Sequence, residues 1–120
     1  MLTRIALAVT LAIPLVADDW SQFRGPNGTG ISPTHTIAEP SLEKNLIWKT
    51  PVPVGHSSPA VSGDKVFITA IEDEKLYTIA LDRETGRVLW RREAPRPRRA
   101  QRNEQNNPAS PTPVADGENV

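Results

Sequence analysis

Apolar and polar residues alternate along the middle of the chain in the two-residue period of half-buried β-strands. Residues 65–71 (KVFITAI) and 75–81 (KLYTIAL) are rich in β-branched and aromatic side chains, and the acids between them indicate a hairpin turn. Residues 87–93 (RVLWRRE) follow as a third strand. The pattern predicts an antiparallel meander.

Turn chemistry and proline content support a β-protein. Asp82 can accept hydrogen bonds from amides two residues on, and Gly86 can take the positive φ that closes the loop before the third strand. Residues 45–50 (NLIWKT) predict one more strand, which the following Pro-Val-Pro ends because proline lacks a backbone donor. Twelve prolines, about twice the average usage, disfavour a helical domain.

The N-terminus predicts export. Residues 1–4 give a short basic start, residues 5–16 are almost entirely apolar, and Ala17 precedes two acids, which indicates a secretory signal cut after Ala17. The apolar run is shorter than the ~20 residues that a spanning helix needs and contains Pro14. We expect a periplasmic or extracellular protein with no transmembrane span after cleavage.

Two stretches without periodicity flank the predicted strands. Residues 18–44 carry Gly-Pro, Pro-Asn-Gly and Ser-Pro turn signals, which indicate an arm that Trp20 and Phe23 pin to the core. Residues 94–112 are rich in Arg, Pro and Asn and predict a solvated connecting loop.

One segment occurs twice. Residues 59–66 (PAVSGDKV) and 113–120 (PVADGENV) align without a gap at an offset of about 54 residues. We expect a repeat architecture whose second copy stops as its strand is about to begin. Because a unit of four short strands cannot bury both faces alone, ~4–8 such units would stack as the blades of a propeller.

The residues around the third strand resemble the repeat of pyrroloquinoline-quinone-like (PQQ-like) β-propellers. In that family a strand and hairpin lead to Ala-Leu-Asp, two variable residues, Thr-Gly, three more and Trp, as in residues 80–90 (ALDRETGRVLW). Residues 19–28 (DWSQFRGPNG) are similar to the start of secreted members from environmental bacteria. The acidic turn at residues 72–74 departs from the family, which usually places a glycine there.

The resemblance implies a fold and a domain order. It implies an all-β, quinoprotein-like propeller of antiparallel four-stranded blades, in which Asp82, Thr85 and Gly86 hold a turn that aims Trp90 between adjacent blades. The implied order is a signal peptide at 1–17, the arm at 18–44, a first blade at 45–93, the loop at 94–112 and a truncated second repeat at 113–120.

The resemblance also implies two functions. One is a non-enzymatic scaffold or protein-binding module of the cell envelope, similar to outer-membrane-protein assembly factor B, with other envelope proteins as partners. The alternative is the N-terminal part of a PQQ-dependent alcohol or sugar dehydrogenase, which would use PQQ and calcium. Binding of a polysaccharide or another ligand also stays open.

No catalytic, cofactor-binding or metal-binding set can be assembled from the residues themselves. His56, Ser57 and Ser58 with Asp64 suggest a hydrolase triad but lack a nucleophile elbow. Three consecutive acids at residues 72–74 lack the alternating oxygens and glycine of a calcium loop.

Other motifs carry little chemistry. Gly25, Gly28 and Gly30 do not form a dinucleotide fingerprint, and Asn27-Gly28-Thr29 is a glycosylation pattern with a high chance frequency. The 14 basic and 14 acidic residues balance, so no field favours nucleic acid. An arginine cluster lacks interleaved aromatics and indicates a solvated surface or an anionic envelope partner: Arg87, Arg91, Arg92, Arg96, Arg98, Arg99 and Arg102. Without cysteine, disulfides and thiolate zinc sites are excluded.

Overall fold

A computed structural model describes residues 19–32, 41–95 and 106–120. The predicted signal peptide lies outside the described residues, as do parts of the predicted arm and connecting loop, including Arg96, Arg98, Arg99 and Arg102. Over the described ranges the regular structure is four β-strands and a three-residue 3-10 helix, Pro26–Gly28. None of the described helical structure is long and apolar enough to cross a membrane.

The four strands form one antiparallel sheet in chain order, which confirms the prediction of an all-β meander. They are β1 (Ala60–Ser62), β2 (Lys65–Glu72), β3 (Lys75–Asp82) and β4 (Val88–Glu93). The strands predicted at residues 65–71, 75–81 and 87–93 agree with β2, β3 and β4 to within one residue at each end. Period-two alternation therefore located these strands correctly.

The strand predicted at residues 45–50 is wrong, and the strand that precedes β2 is β1. Residues 46–50 join no ladder. Instead, the Trp48 indole N–H donates to the Arg83 carbonyl at 2.8 Å and the Thr50 hydroxyl to the Gly86 carbonyl at 2.6 Å. The segment is held to the β3–β4 turn through its side chains, an arrangement that strand propensity does not predict.

The register places a different apolar cluster on each face of the sheet. Ala60, Phe67, Ala80 and Trp90 are directly opposite one another on the four strands and form a row across one face. The other face carries a buried cluster built from alternate residues of β2 and β3: Ala70, Ile79 and Leu81, with Val66, Ile68 and Tyr77 packed against them. Both faces of the sheet thus bury apolar side chains.

A small residue lets two aromatic rings meet across the sheet. Ala80 is fully buried on β3 between Phe67 on β2 and Trp90 on β4. The ring centroids of Phe67 and Trp90 are 5.9 Å apart and tilted by 46°. This separation and tilt are within the favourable range for an aromatic pair. The methyl group of Ala80 thus leaves the space in which the two rings touch.

Candidate functional site

The two copies of the internal repeat form the same turn. In the first copy Ser62 pairs with Lys65 across Gly63, whose φ is 56°. In the second copy the Asp116 amide donates to the Asn119 carbonyl at 3.2 Å across Gly117, whose φ is 96°. A glycine at the equivalent position supplies the left-handed conformation in both turns. The sequence repeat is therefore also a structural repeat.

The arm lies between the two copies. Trp20 and Val61 exchange two backbone hydrogen bonds of 2.8 Å, and the Ala115 amide donates to the Ser21 carbonyl at 2.9 Å. Val61 and Ala115 are equivalent residues of the repeat. One arm segment is thus hydrogen-bonded to the same position in each copy.

The side chain of Asp19, one residue before Trp20, also attaches the arm to the first copy. The Asp19 carboxylate accepts from the Gly63 amide at 2.8 Å and from the Ser62 hydroxyl at 3.1 Å. Trp20 ties the arm to β1 through its backbone pairing with Val61 and is in neither apolar cluster of the sheet. The prediction that Phe23 pins the arm to the core is wrong, because its side chain is 61% exposed.

The segments upstream of the two copies also touch each other. The Ser58 amide donates to the Thr112 hydroxyl at 3.2 Å, and these two residues are equivalent in the repeat. The His56 amide donates to the Ala109 carbonyl at 3.0 Å. The Thr69 hydroxyl of β2 lies 3.1 Å from the Ala109 carbonyl oxygen and 2.9 Å from that of Pro111. Residues 109–112 are thereby held to the sheet.

A cleft of about 540 Å³ opens where the arm and the two upstream segments meet. We call it the junction cleft. Its volume is within the range of small-ligand pockets, roughly 300–1,000 Å³. The arm and both segments supply its lining: Gln22, Phe23, His56, Ser58, Ser110, Thr112 and Val114. His56 and Ser110 are separated by the same offset as the two copies of the repeat, as are Ser58 and Thr112, so the segments just upstream of the copies face each other across the cleft.

A second, smaller cleft of about 240 Å³ lies over the aromatic pair, between the turns of the two copies. Phe67 and Trp90 form its apolar part, and Asp64, Lys65 and Glu118 are among its polar residues. The Asp64 carboxylate is 2.5 Å from the Lys65 ammonium, and this hydrogen bond lowers the pKa of Asp64. The charges of this cleft are therefore partly satisfied within the protein.

The predicted motif residues Asp82, Thr85 and Gly86 meet in the β3–β4 turn. The Asp82 carboxylate accepts from the Thr85 hydroxyl at 2.7 Å, the Thr85 amide at 2.8 Å and the Glu84 amide at 3.2 Å. These bonds, that of the Thr85 hydroxyl first, hold the pKa of Asp82 below its ordinary value. Gly86 closes the turn with a φ of 70°.

Gly86 also provides the surface on which Trp48 rests. A Cβ atom on Gly86 would overlap the Trp48 indole and approach the Thr50 hydroxyl to 2.8 Å. Trp90, the fourth motif residue, lies on β4 against Phe67 rather than in the turn. Its docking between adjacent blades stays a prediction.

The residues of the suspected triad are not brought together. The Ser57 hydroxyl accepts from the Thr69 amide at 3.0 Å, near the middle of β2. Asp64 lies in the β1–β2 turn beside Lys65, at the start of β2. The His56 backbone faces Ala109. Ser57 therefore takes a structural role as a strand partner.

One of the three acids at residues 72–74 pairs with an arginine of β4. Glu72 and Arg91 form an ion pair of 2.5 Å, which raises the pKa of Arg91, and the guanidinium lies 3.5 Å from the centroid of the Tyr77 ring. The Arg92 guanidinium lies 5.4 Å from the centroid of the Trp90 ring. Among the described residues there is no group of three or more His, Cys, Asp or Glu side chains that could hold a metal ion.

Several residues that build the junction were not indicated by the sequence pattern. Asp19, Thr69 and Thr112 each accept or donate a hydrogen bond between segments far apart in sequence. Asp19 was noted only as part of the arm motif at residues 19–28, Thr69 only as a residue of a predicted strand, and Thr112 lies one residue before the second copy of the repeat. Comparison of the chain with protein-family models, curated proteins and solved structures finds no match.

Proposed function

We propose that the protein is an exported PQQ-like β-propeller repeat protein that acts as a non-enzymatic scaffold or protein-binding module in the cell envelope. The observation that carries this proposal is the structural repeat: two copies with the same turn lie side by side and share one arm segment. Side-by-side repetition of small antiparallel units is how propellers are built.

The turns at the two ends of the sheet are the surfaces offered to partners. The β2–β3 turn, with Asp73 and Glu74, lies at one end, and the β1–β2 and β3–β4 turns, with Asp64 and Glu84, lie at the other. All four side chains are exposed. Exposed loops on a rigid sheet are where binding residues concentrate.

The dehydrogenase alternative requires PQQ and calcium. A calcium site needs several oxygen ligands that converge on one point. The described residues do not supply such an acidic cluster, since Glu72 is paired with Arg91 and Asp64 with Lys65. No described residue is therefore assigned to calcium or to PQQ, and the two roles are separated by experiment.

Photo-crosslinking tests the scaffold role directly. Because the sequence contains no cysteine, one introduced cysteine gives a single attachment point for a thiol-linked crosslinker. We would compare Asp73→Cys with Glu84→Cys in the full-length protein, in intact envelopes. The proposal expects one discrete protein adduct from one end of the sheet and none from the other. Absence of adducts at both positions contradicts it.

A cofactor titration tests the alternative in the same preparation. PQQ and calcium are added to the purified full-length protein, and dye-linked oxidation of alcohols and sugars is measured. The scaffold role expects no stoichiometric quinone binding and no oxidation. Turnover that depends on both additions would replace the scaffold role with the dehydrogenase.

A further inference from the structure

The junction cleft has a distinctive lining, which mixes hydrogen-bonding groups with apolar surface and lacks formal charge. Within the described part of the chain its lining includes no Asp, Glu, Lys or Arg, and His56 is its one basic residue. The neighbouring 240 Å³ cleft, in contrast, includes Asp64, Lys65 and Glu118. An ionic ligand would lose hydration in the junction cleft without gaining an opposite charge. The lining therefore favours an uncharged ligand.

Three of the polar side chains that line the junction cleft, those of Gln22, Ser110 and Thr112, are held in place with hydrogen-bonding capacity to spare. The Gln22 amide nitrogen donates to the Gly25 carbonyl at 3.1 Å, which leaves its second N–H and its oxygen. The Ser110 hydroxyl donates to the Asn107 carbonyl at 2.6 Å and keeps its lone pairs. The Thr112 hydroxyl accepts from Ser58 and keeps its proton to donate. Fixed donors and acceptors thus stand side by side.

Two exposed apolar side chains line the same cleft. Phe23 is 61% exposed and Val114 is 64% exposed. Phe23 follows the paired residues Trp20 and Ser21 and precedes Arg24, whose φ of 62° marks a tight turn. The arm thus presents the ring from a constrained backbone. The electron-rich face of such a ring attracts polarised C–H groups.

None of the residues that line the junction cleft lies in a strand of the sheet. The amides of His56 and Ser58 already donate within the protein, to the Ala109 carbonyl and the Thr112 hydroxyl. An extended peptide binds mainly by hydrogen bonds to a free strand edge. The junction cleft instead offers side-chain hydroxyl and amide groups beside an aromatic ring. These features favour a ligand with hydroxyl groups and a C–H face over a polypeptide.

We propose that the junction cleft binds a neutral oligosaccharide, whose C–H face stacks on Phe23 and whose hydroxyl groups bond to Gln22, Ser110 and Thr112. The site is independent of the scaffold role, because it needs only the arm and the two repeat segments. The two proposals can therefore fail separately. Sugar binding is measured with purified protein, whereas the scaffold role is measured by crosslinking in envelopes.

Binding of defined oligosaccharides to the purified full-length protein tests the proposal. We would titrate cellohexaose, maltohexaose and chitohexaose, with a polygalacturonate hexamer as the charged counterpart, and follow saturation-transfer NMR and calorimetry. The proposal expects at least one neutral hexasaccharide to bind and the charged hexamer to bind more weakly. No binding of any neutral hexasaccharide, or preference for the charged one, overturns the proposal.

Two variants test whether the ligand binds in the junction cleft. Phe23→Ala removes the stacking face and is expected to raise Kd roughly 3- to 10-fold. Ile31→Ala is the matched control, because Ile31 is an equally exposed apolar residue of the arm, 69% exposed, that does not line the cleft. Equal Kd values for Phe23→Ala and the wild type overturn the site.

A further variant tests whether Phe23→Ala acts by perturbing the fold, and a competitor tests whether the cleft prefers a peptide. Phe23→Trp keeps an aromatic face, so it is expected to bind at least as tightly as the wild type even if Phe23→Ala perturbs the fold. An extended Ser/Thr-rich hexapeptide serves as the competing class of ligand. Two results together would identify a polypeptide site and overturn the proposal. The peptide would displace the sugar, and Phe23→Ala would weaken binding of the peptide but not of the sugar.

Discussion

The turn between β2 and β3 places two acidic residues in the left-handed conformation, with φ values of 48° at Asp73 and 62° at Glu74. The turn between β3 and β4 reaches its left-handed position with Gly86 instead, and the Asp82 carboxylate binds its amides. Non-glycine residues are disfavoured in this conformation by about 1–2 kcal/mol each. The first turn accepts that cost, whereas the second avoids it.

Tertiary contact explains the difference. The β2–β3 turn projects into solvent, where the Asp73 and Glu74 side chains have room. The β3–β4 turn lies under Trp48, and the space that a Cβ on Gly86 would need is filled by the indole. Glycine is therefore required in the second turn for packing as well as for φ, whereas the first turn accommodates side chains at both of its left-handed positions.

Gly86→Ala is expected to have the largest effect. The new methyl group meets both the unfavourable φ and the Trp48 ring, so the free energy of unfolding should fall by about 2–4 kcal/mol. Denaturant unfolding of the full-length protein measures this change. The matched control is Gly63→Ala, which has a φ of 56° but no atom within 4 Å of the new Cβ. It should cost only about 1–2 kcal/mol. Equal losses would show that Trp48 packing is unimportant.

Asp82→Asn is expected to have an intermediate effect that depends on pH. The folded pKa of Asp82 is lowered from its ordinary value of 3.8 by bonds from Thr85 and Glu84. A lowered pKa stabilises the fold above the ordinary value, and this contribution is lost as pH falls through the folded pKa. The variant should therefore be less stable than the wild type at neutral pH, and the gap should close below about pH 4. A gap that does not change with pH would contradict the role of the charge.

The smallest effect is expected for the β2–β3 turn, and it has the opposite sign. Asp73→Asn combined with Glu74→Gly gives the pair preferred in two-residue hairpin turns with positive φ at both positions. The free energy of unfolding should rise by about 1 kcal/mol because backbone strain is removed. Thermal unfolding of the two proteins in parallel measures the difference. A destabilised variant would mean that the acidic side chains hold the hairpin.

The sequence pattern predicted the hairpins well because the residues that form each hairpin are close together in the chain. The alternation in residues 65–81 and the Asp82-to-Gly86 turn each lie within a few residues of the contacts that they form. The prediction of a strand at residues 45–50 was wrong. Trp48 and Thr50 have strand propensity, but their side chains donate hydrogen bonds to the carbonyls of Arg83 and Gly86. That outcome depends on a turn more than 30 residues away.

The junction cleft was beyond local prediction for the same reason. Gln22, Ser58 and Thr112 each sit in segments with no periodicity, and only folding brings them to one place. Ser58 and Thr112 lie just upstream of the two copies of the repeat, which indicated equivalent positions but not that those positions would touch, and Gln22 has no counterpart in the repeat. The expectation that Phe23 pins the arm to the core was wrong. An aromatic residue in an arm can either pack on the core or stay exposed, and the sequence pattern is the same in both cases.

The position of the arm has a consequence for the order of folding. Trp20 and Ser21 are made early in synthesis, yet their partners Val61 and Ala115 follow about 40 and about 90 residues later, whereas each hairpin pairs residues made almost together. Closing a long loop costs entropy that local pairing does not, so β2, β3 and β4 can assemble while the arm still lacks one of its neighbours. The arm, which is synthesised before the sheet, is thus completed in its contacts only after the sheet has formed.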